Sequence, residues 1–213
     1  MTTTIAAPLS RIRLSPGSSI QVSDLTWHDY SRFLQELGED RSTRIAYQQG
    51  FLEIYMPSQL HEIVNRLLAK IIFTLAETLE LDINDLGATT LSREDLEQGV
   101  EPDSCFYIQN AHLVQGLSPS VPDNLPPDLV VEVDIASSSD HKMKIYQAMG
   151  VSELWVYRKG KIAIYQLQET QYLEVDCSPT FPTVSHRQLT EWIELREKIS
   201  DVAVVRAVRQ FCS

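Results

Sequence analysis

The sequence predicts an α/β (α+β) fold in which helices flank a mixed central β-sheet. Three observations carry that reading. A long amphipathic pattern runs over about 59–80, two apolar strand-like runs cover 99–109 and 128–136, and a short helix followed by a hairpin comes directly after them. With 43% hydrophobic residues among 213, the chain can bury a proper core, and 22% charged residues is ordinary for a globular protein.

Taken in order, residues 24–37 read as a first helix, with Ser23 or Thr26 as its cap and Gly38 as its stop. Thr43–Gln48 and Phe51–Met56 flank Gln49-Gly50 and read as a β-hairpin. In the long helix Leu60, Ile63, Val64, Leu67, Leu68, Ile71, Leu75 and Leu79 follow the 3.6-residue period. Gly99–Gln109 and Asp128–Ala136 read as strands joined through the proline-rich loop 118–127. Residues 139–149 form a helix ending at Gly150. Glu153–Arg158 and Lys161–Gln168 form a second hairpin around Lys159-Gly160, and Tyr172–Asp176 adds a strand. A helical tail spans about 187–211, broken near Ser200.

Composition narrows the function. The net charge of −11 argues against a broad basic DNA-binding face, so any nucleic-acid contact must rest on a few clustered cations or on bound metal. No apolar run is long enough to span a membrane, and Met1–Leu14 reads as a lead-in without the pattern of a signal peptide, so the expected location is the cytoplasm, with no membrane partner. Cys105, Cys177 and Cys212 are widely spaced and form no CxxC pair, which leaves reduced thiols rather than a zinc site or disulfide framework. His28, His112, His141 and His186 show no zinc spacing, and no glycine-rich phosphate loop or GxSxG elbow is present. Trp155, Tyr157 and Tyr165 fall in strand patterns and read as core.

The chemistry concentrates in the middle of the chain. Alternate side chains of a strand share a face, so Leu129, Val131, Val133 and Ile135 lie on one side of the 128–136 run and Asp128, Val130, Glu132 and Asp134 on the other. Asp103 shares a face with Cys105 and Tyr107, and if the two strands are neighbours Asp103 and Glu132 can approach one metal. Lys142, Ile145, Tyr146 and Met149 fall at i, i+3, i+4 and i+7, which places Lys142 on an inward stripe and Lys144 off it. An inward lysine needs a partner, so Lys142 is the candidate to pair with Glu132 and Asp134 or to touch a scissile phosphate; the plainer reading is a lysine snorkelling at the helix start. His61 flanks the apolar stripe of the long helix and Glu62 points further out, either of them suited to a cleft rim. Convergent carboxylates beside a lysine are what a magnesium-dependent phosphodiester-cleaving site requires.

The stretch from Gly99 to Tyr157 resembles the PD-(D/E)xK nuclease superfamily. More closely, it resembles the large bacterial family of restriction-endonuclease-like proteins long carried as a domain of unknown function. The matching text is GVEPDSCFYI from Gly99, PPDLVVEVDI from Pro126, SSSDHK from Ser137, Tyr146, and GVSELW from Gly150. MPSQLHE from Met56 is similar to the family's first-helix signature, and GATTL from Gly87 to its pre-motif strand. The resemblance covers roughly residues 40–160 and implies one restriction-endonuclease-like domain over 1–213, with a core at about 40–180. It also implies Mg²⁺ (or Mn²⁺) held by Asp103, Glu132 and the Val133 carbonyl, with Lys142 recruited from the following helix because Asp134 stands where the superfamily pattern has lysine. Asp134 would then bind a second metal or pair with Lys142. Glu62, beside His61, matches a helix position that adds an acid or a metal-shell contact.

The function so implied is Mg-dependent hydrolysis of DNA, by a homodimer that addresses two strands with two sites. Leu189, Trp192, Ile193, Val202 and Val205 of the tail offer apolar area for such an interface, although packing on their own domain is the commoner use of such a stripe. The alternatives are a catalytically idle nuclease fold with a binding or regulatory role, and a salt-bridge network of Asp103, Glu132, Asp134 and Lys142 without catalysis. A nuclease needs cations such as Arg66, Lys70, Lys144, Arg158, Lys159 or Lys161 gathered around the acids. A salt-bridge network needs only Lys142.

Overall fold

The computed structural model describes residues 12–38, 42–117, 119, 121–122, 124–135 and 138–212. The predicted lead-in therefore lies outside the described residues as far as residue 11, as do parts of the 118–127 loop and residues 136–137 at the end of the 128–136 run.

The described chain forms two sheets. One is antiparallel throughout, in the order β1 (Ser19–Val22), β3 (Phe51–Tyr55), β2 (Arg44–Gln48), β6 (Gln98–Val100), β5 (Leu91–Arg93). The other is mixed, in the order β11 (Gln171–Val175), β10 (Lys161–Gln168), β9 (Glu153–Arg158), β8 (Leu129–Asp134), β7 (Ser104–Tyr107), β4 (Asn84–Gly87), with β8 and β9 its one parallel pair. That parallel pair is joined by α3 (Asp140–Met149), as a crossover must be. The remaining helices are α1 (Trp27–Leu37), α2 (Gln59–Thr78), α4 (His186–Leu195) and α5 (Asp201–Cys212).

One expectation changes here. The run 99–109 is not one strand: it breaks at Glu101-Pro102-Asp103, and its halves β6 and β7 enter different sheets. Pro102 has no N–H to give a ladder, and Glu101 turns inward, its carboxylate accepting Ile45 N–H at 3.1 Å and the Thr90 hydroxyl at 2.8 Å. The first hairpin forms as expected, β2 pairing with β3, and lies within the five-stranded sheet. Its turn at Gln49-Gly50 has positive φ at both residues (45° and 88°), the twist that a tight hairpin takes. The first helix starts at Trp27 because Thr26 closes a capping box with Asp29: the Thr26 hydroxyl accepts Asp29 N–H at 3.1 Å, and Thr26 N–H donates back to the Asp29 carboxylate at 3.0 Å.

The layers follow from which faces are apolar. Val64, Leu67, Leu68, Ile71 and Leu75 of α2 pack with α4 and α5 against Leu129, Val131, Val133 and Trp155 on one side of the mixed sheet. Leu189, Trp192, Ile193, Val204 and Val208 of the tail are spent on this core, while Val202 is exposed. On the other side Val130 and Leu154 meet Ile145, Tyr146 and Met149 of α3, together with Ala46 and Val100 of the antiparallel sheet. The far face of that sheet (Ile45, Tyr47, Leu52, Ile54) is covered by Tyr30 and Phe33 of α1. The stripe on α2 is slightly narrower than its pattern: Leu60, Ile63 and Leu79 remain exposed. No described helix is long and apolar enough to cross a membrane.

One close approach fixes α1 on its sheet. The Tyr30 ring stacks on Tyr47 at 4.6 Å and lies directly over Gly99 of β6, where any Cβ would overlap the ring and its hydroxyl. Gly99→Ala should therefore destabilise the fold by about 1–3 kcal/mol through overpacking, read as a lowered urea midpoint. An unchanged midpoint would mean that α1 is free to shift.

Candidate active site

The register of β7 on β8 pairs Ser104 with Val131, so Asp103, one residue earlier, arrives beside the carboxyl end of β8. Asn65 of α2 pins that approach: its side-chain amide donates to the Asp103 carbonyl at 3.0 Å and accepts the Ser104 hydroxyl at 2.9 Å. Asp103 Oδ2 accepts Val133 N–H at 2.7 Å. Glu132 lies on the β8 face that looks toward α3. There Lys142 Nζ donates to its Oε2 at 2.8 Å and the Tyr146 hydroxyl donates to its Oε1. Lys142, Ile145, Tyr146 and Met149 are the buried residues of α3, the same stripe that the sequence spacing marks. Glu53, Tyr55, His61, Asp103, Glu132 and Lys142 line a small pocket between the two sheets.

The two central carboxylates divide their protonation. For Glu132, burial pushes the carboxyl up to about 7; the Lys142 charge opposes this and the Asp103 charge adds to it. For Asp103, burial also works upward, but the His61 imidazole, the Lys142 charge and Val133 N–H outweigh it and hold the group below the usual carboxylate range. Like charges at one site push pKa values apart in this way. Lys142 is itself held above its ordinary value: burial acts against the ammonium, and Glu132 and Asp103 more than offset it. Burial and Glu132 keep the Tyr146 phenol protonated as a donor.

Buried carboxylates elsewhere in the fold are satisfied. Glu153 accepts Trp155 Nε1 at 2.6 Å, the Ser178 hydroxyl at 2.6 Å, and both the N–H and the hydroxyl of Thr180, at 3.0 and 2.6 Å. Among the described residues, Asp103 Oδ1 is the one buried carboxylate oxygen with no hydrogen-bond partner. Such an orphan inside a protein calls for a ligand, and Asp103 lines the same pocket as Glu132. No three His, Cys, Asp or Glu side chains among the described residues stand as a metal cage.

The other sequence-predicted residues take distinct places. His61 is not at the rim; it is wholly buried, with Nε2 2.9 Å from Asp103 Oδ2 and Nδ1 3.7 Å from Glu62 Oε1. It turns inward because Ser58 caps α2 by accepting His61 N–H at 3.2 Å, and the first turn then faces Tyr55, whose ring centroid is 5.7 Å from that of His61. Glu62, the next residue, is half-buried and stands between Arg44 at 3.7 Å and Arg66 at 3.6 Å. Asp134 makes no bond to Lys142: its oxygens accept Ser139 N–H at 3.0 and 3.1 Å and pair with Arg158 at 2.7 Å. Of the proposed cation set, Arg66 lies 3.6 Å from Glu62, Arg158 pairs with Asp134, Lys70 pairs with Asp201 of α5 at 2.6 Å, and Lys144, Lys159 and Lys161 are exposed.

Sequence reasoning missed Glu53. It is buried on the β3 face that looks into the cleft, with His141 Nε2 2.8 Å from its Oε2. Burial works to raise its pKa, but His141 and the Lys142 charge hold it below the ordinary value. The one signal was an acid between Leu52 and Ile54 in a strand that is otherwise apolar toward the core.

A family model described as "Uma2: Putative restriction endonuclease" matches residues 27–204. A solved structure described as "a putative nuclease belonging to DUF820 from Anabaena variabilis ATCC 29413" aligns with a TM-score of 0.56 at 14% identity, covering 79% of this chain and 99% of that one. At that identity the likeness is one of fold. No curated protein matches the chain.

Proposed function

The chain belongs to the Uma2 family, and from that premise we propose that it is a metal-dependent endonuclease that hydrolyses DNA phosphodiester bonds, with Mg²⁺ or Mn²⁺ held by Asp103, Glu132 and the Val133 carbonyl. The observation that carries this reading is the orphaned Asp103 Oδ1 in the cleft beside Glu132. A salt-bridge network has no use for an unbonded buried oxygen. Bound there, the ion supplies a water of lowered pKa and a positive charge facing the phosphoryl oxygens.

The protein's own groups do the rest. Val133 N–H bonds Asp103 Oδ2, His61 Nε2 lies 2.9 Å from the same oxygen, and Oδ1 is left without a partner. Lys142 and Tyr146 fix Glu132. Because Lys142 keeps its proton, it serves as a fixed cation for a phosphate oxygen or an attacking water rather than as a base. Asp134 anchors the start of α3 and Arg158 at the cleft edge, and Glu62 stands behind His61. A homodimer would let two such clefts address both DNA strands.

One observation favours the idle alternative: both Glu132 oxygens already have donors. Supercoiled plasmid separates the readings. Nicking or linearisation with Mg²⁺ or Mn²⁺, absent with chelator, is expected; intact plasmid with every divalent ion would leave a binding or regulatory role. Metal binding should also depend on pH. Glu132 is raised to about 7 in the fold, so below that value an ion must displace its proton. Calorimetry should show Mg²⁺ affinity falling about tenfold per pH unit below neutrality and levelling off above it. A flat profile would remove Glu132 from the ligand set.

A further inference from the structure

Glu62 gathers three cationic or donor groups without bonding any of them closely. Arg44 Nη2 is 3.7 Å away, Arg66 Nε 3.6 Å and His61 Nδ1 3.7 Å, all beyond good hydrogen-bond length. Arg44 shares the β2 face of Ala46, the face that looks between the sheets, and its side chain is only 15% exposed. Its Nε is buried and has no hydrogen-bond partner among the described residues. A guanidinium offers five N–H donors in a fixed fork, and this one is left largely unfilled.

Arg158 on the other side of the cleft is the contrast. Its Nε donates to Asp134 at 2.9 Å, and its Nη2 donates to Ser138 at 3.0 Å and to Asp140 at 2.6 Å. That fork is used up in holding α3. The pair at Glu62 is not used up, and it adjoins the acid site through His61, whose other nitrogen lies 2.9 Å from Asp103.

We propose that Arg44 and Arg66 form a docking site for a backbone phosphate of the nucleic acid, next to the phosphodiester to be cut, with Glu62 acting as an internal counter-charge that the phosphate displaces. This rests on the nuclease reading and extends it, since it fixes which edge of the cleft the strand enters. Guanidinium forks match phosphate oxygens in pairs. With a net charge of −11, the protein gains affinity from a few such contacts, and a resident carboxylate offsets one of the two arginine charges when no strand is bound.

The test is anisotropy of a labelled DNA duplex with chelated, metal-free full-length protein over a salt series, alongside inorganic phosphate titrated by calorimetry. Arg66→Gln, at an exposed position, and Arg44→Lys, which keeps the charge but loses the fork, guard against misfolding. The Arg44→Gln/Arg66→Gln pair should weaken DNA binding by about tenfold per arginine and flatten the salt slope by about one unit for each. Glu62→Gln should tighten binding, whereas a purely structural Glu62 would weaken it. If wild type and variants bind DNA alike with one salt slope, the docking site is wrong and the nuclease reading stands. If wild type binds no DNA but loses phosphate binding in the variants, the anion site stands and the DNA reading falls. If wild type binds neither probe, the proposal is overturned.

Discussion

Lys142→Met should lower stability by about 3–5 kcal/mol in mildly alkaline buffer, the usual cost of breaking a buried ion pair from one side. Lys142 is the ammonium facing Glu132, 2.8 Å away, with Asp103 and Asp134 adding to its field. Removing it takes away the charge that opposes the upward push of burial on Glu132, so the carboxyl rises further above about 7. The sign follows from proton counting. Between the unfolded glutamate value and the raised folded one, the folded variant binds the extra proton, so its stability increases as pH falls, by about 1.4 kcal/mol per unit. Because wild-type Glu132 already stands at about 7, urea midpoints across pH should show a defect that is largest in alkaline buffer, shrinks as pH falls toward neutrality and stays level below it. A defect of equal size at all pH values would mean that Lys142 contributes packing rather than charge. Plasmid cleavage should be lost at every pH.

Asp103→Asn should abolish metal binding and reduce cleavage to the level of the chelated protein, with the fold intact. The asparagine oxygen can still accept Val133 N–H, the bond that Asp103 Oδ2 makes at 2.7 Å, so the exchange removes charge and keeps shape. Asp103→Ala should add a stability loss of about 1–3 kcal/mol, because Val133 N–H is then buried without an acceptor. Cleavage by the asparagine variant at the wild-type rate would show that Asp103 Oδ1 has no part in the chemistry.

What the sequence made legible depended on local periodicity. Lys142 could be placed inward, and Lys144 outward, because four residues of one helix define a stripe whatever packs against it. The faces of β8 followed from the alternation of Val and acid in the same way. His61 was harder: it flanks the apolar stripe of α2, and its burial comes from Ser58 capping the helix and from Tyr55 across the gap. Glu53 was hidden because its surroundings come from the other sheet and from α3, far away in sequence. β1, β4 and β5 are three or four residues long and are defined by their partners more than by their own pattern. The break between β6 and β7 carried a local sign, Pro102, but the separation into two sheets is a tertiary fact.

The central claim is that Asp103 and Glu132 together hold a divalent ion. Calorimetric titration of Mn²⁺ and Mg²⁺ into the wild-type protein, Asp103→Asn and Glu132→Gln tests it most directly. Binding to wild type that disappears in both variants is the predicted result. Binding that survives unchanged in both, or none to wild type even with DNA present, would contradict it.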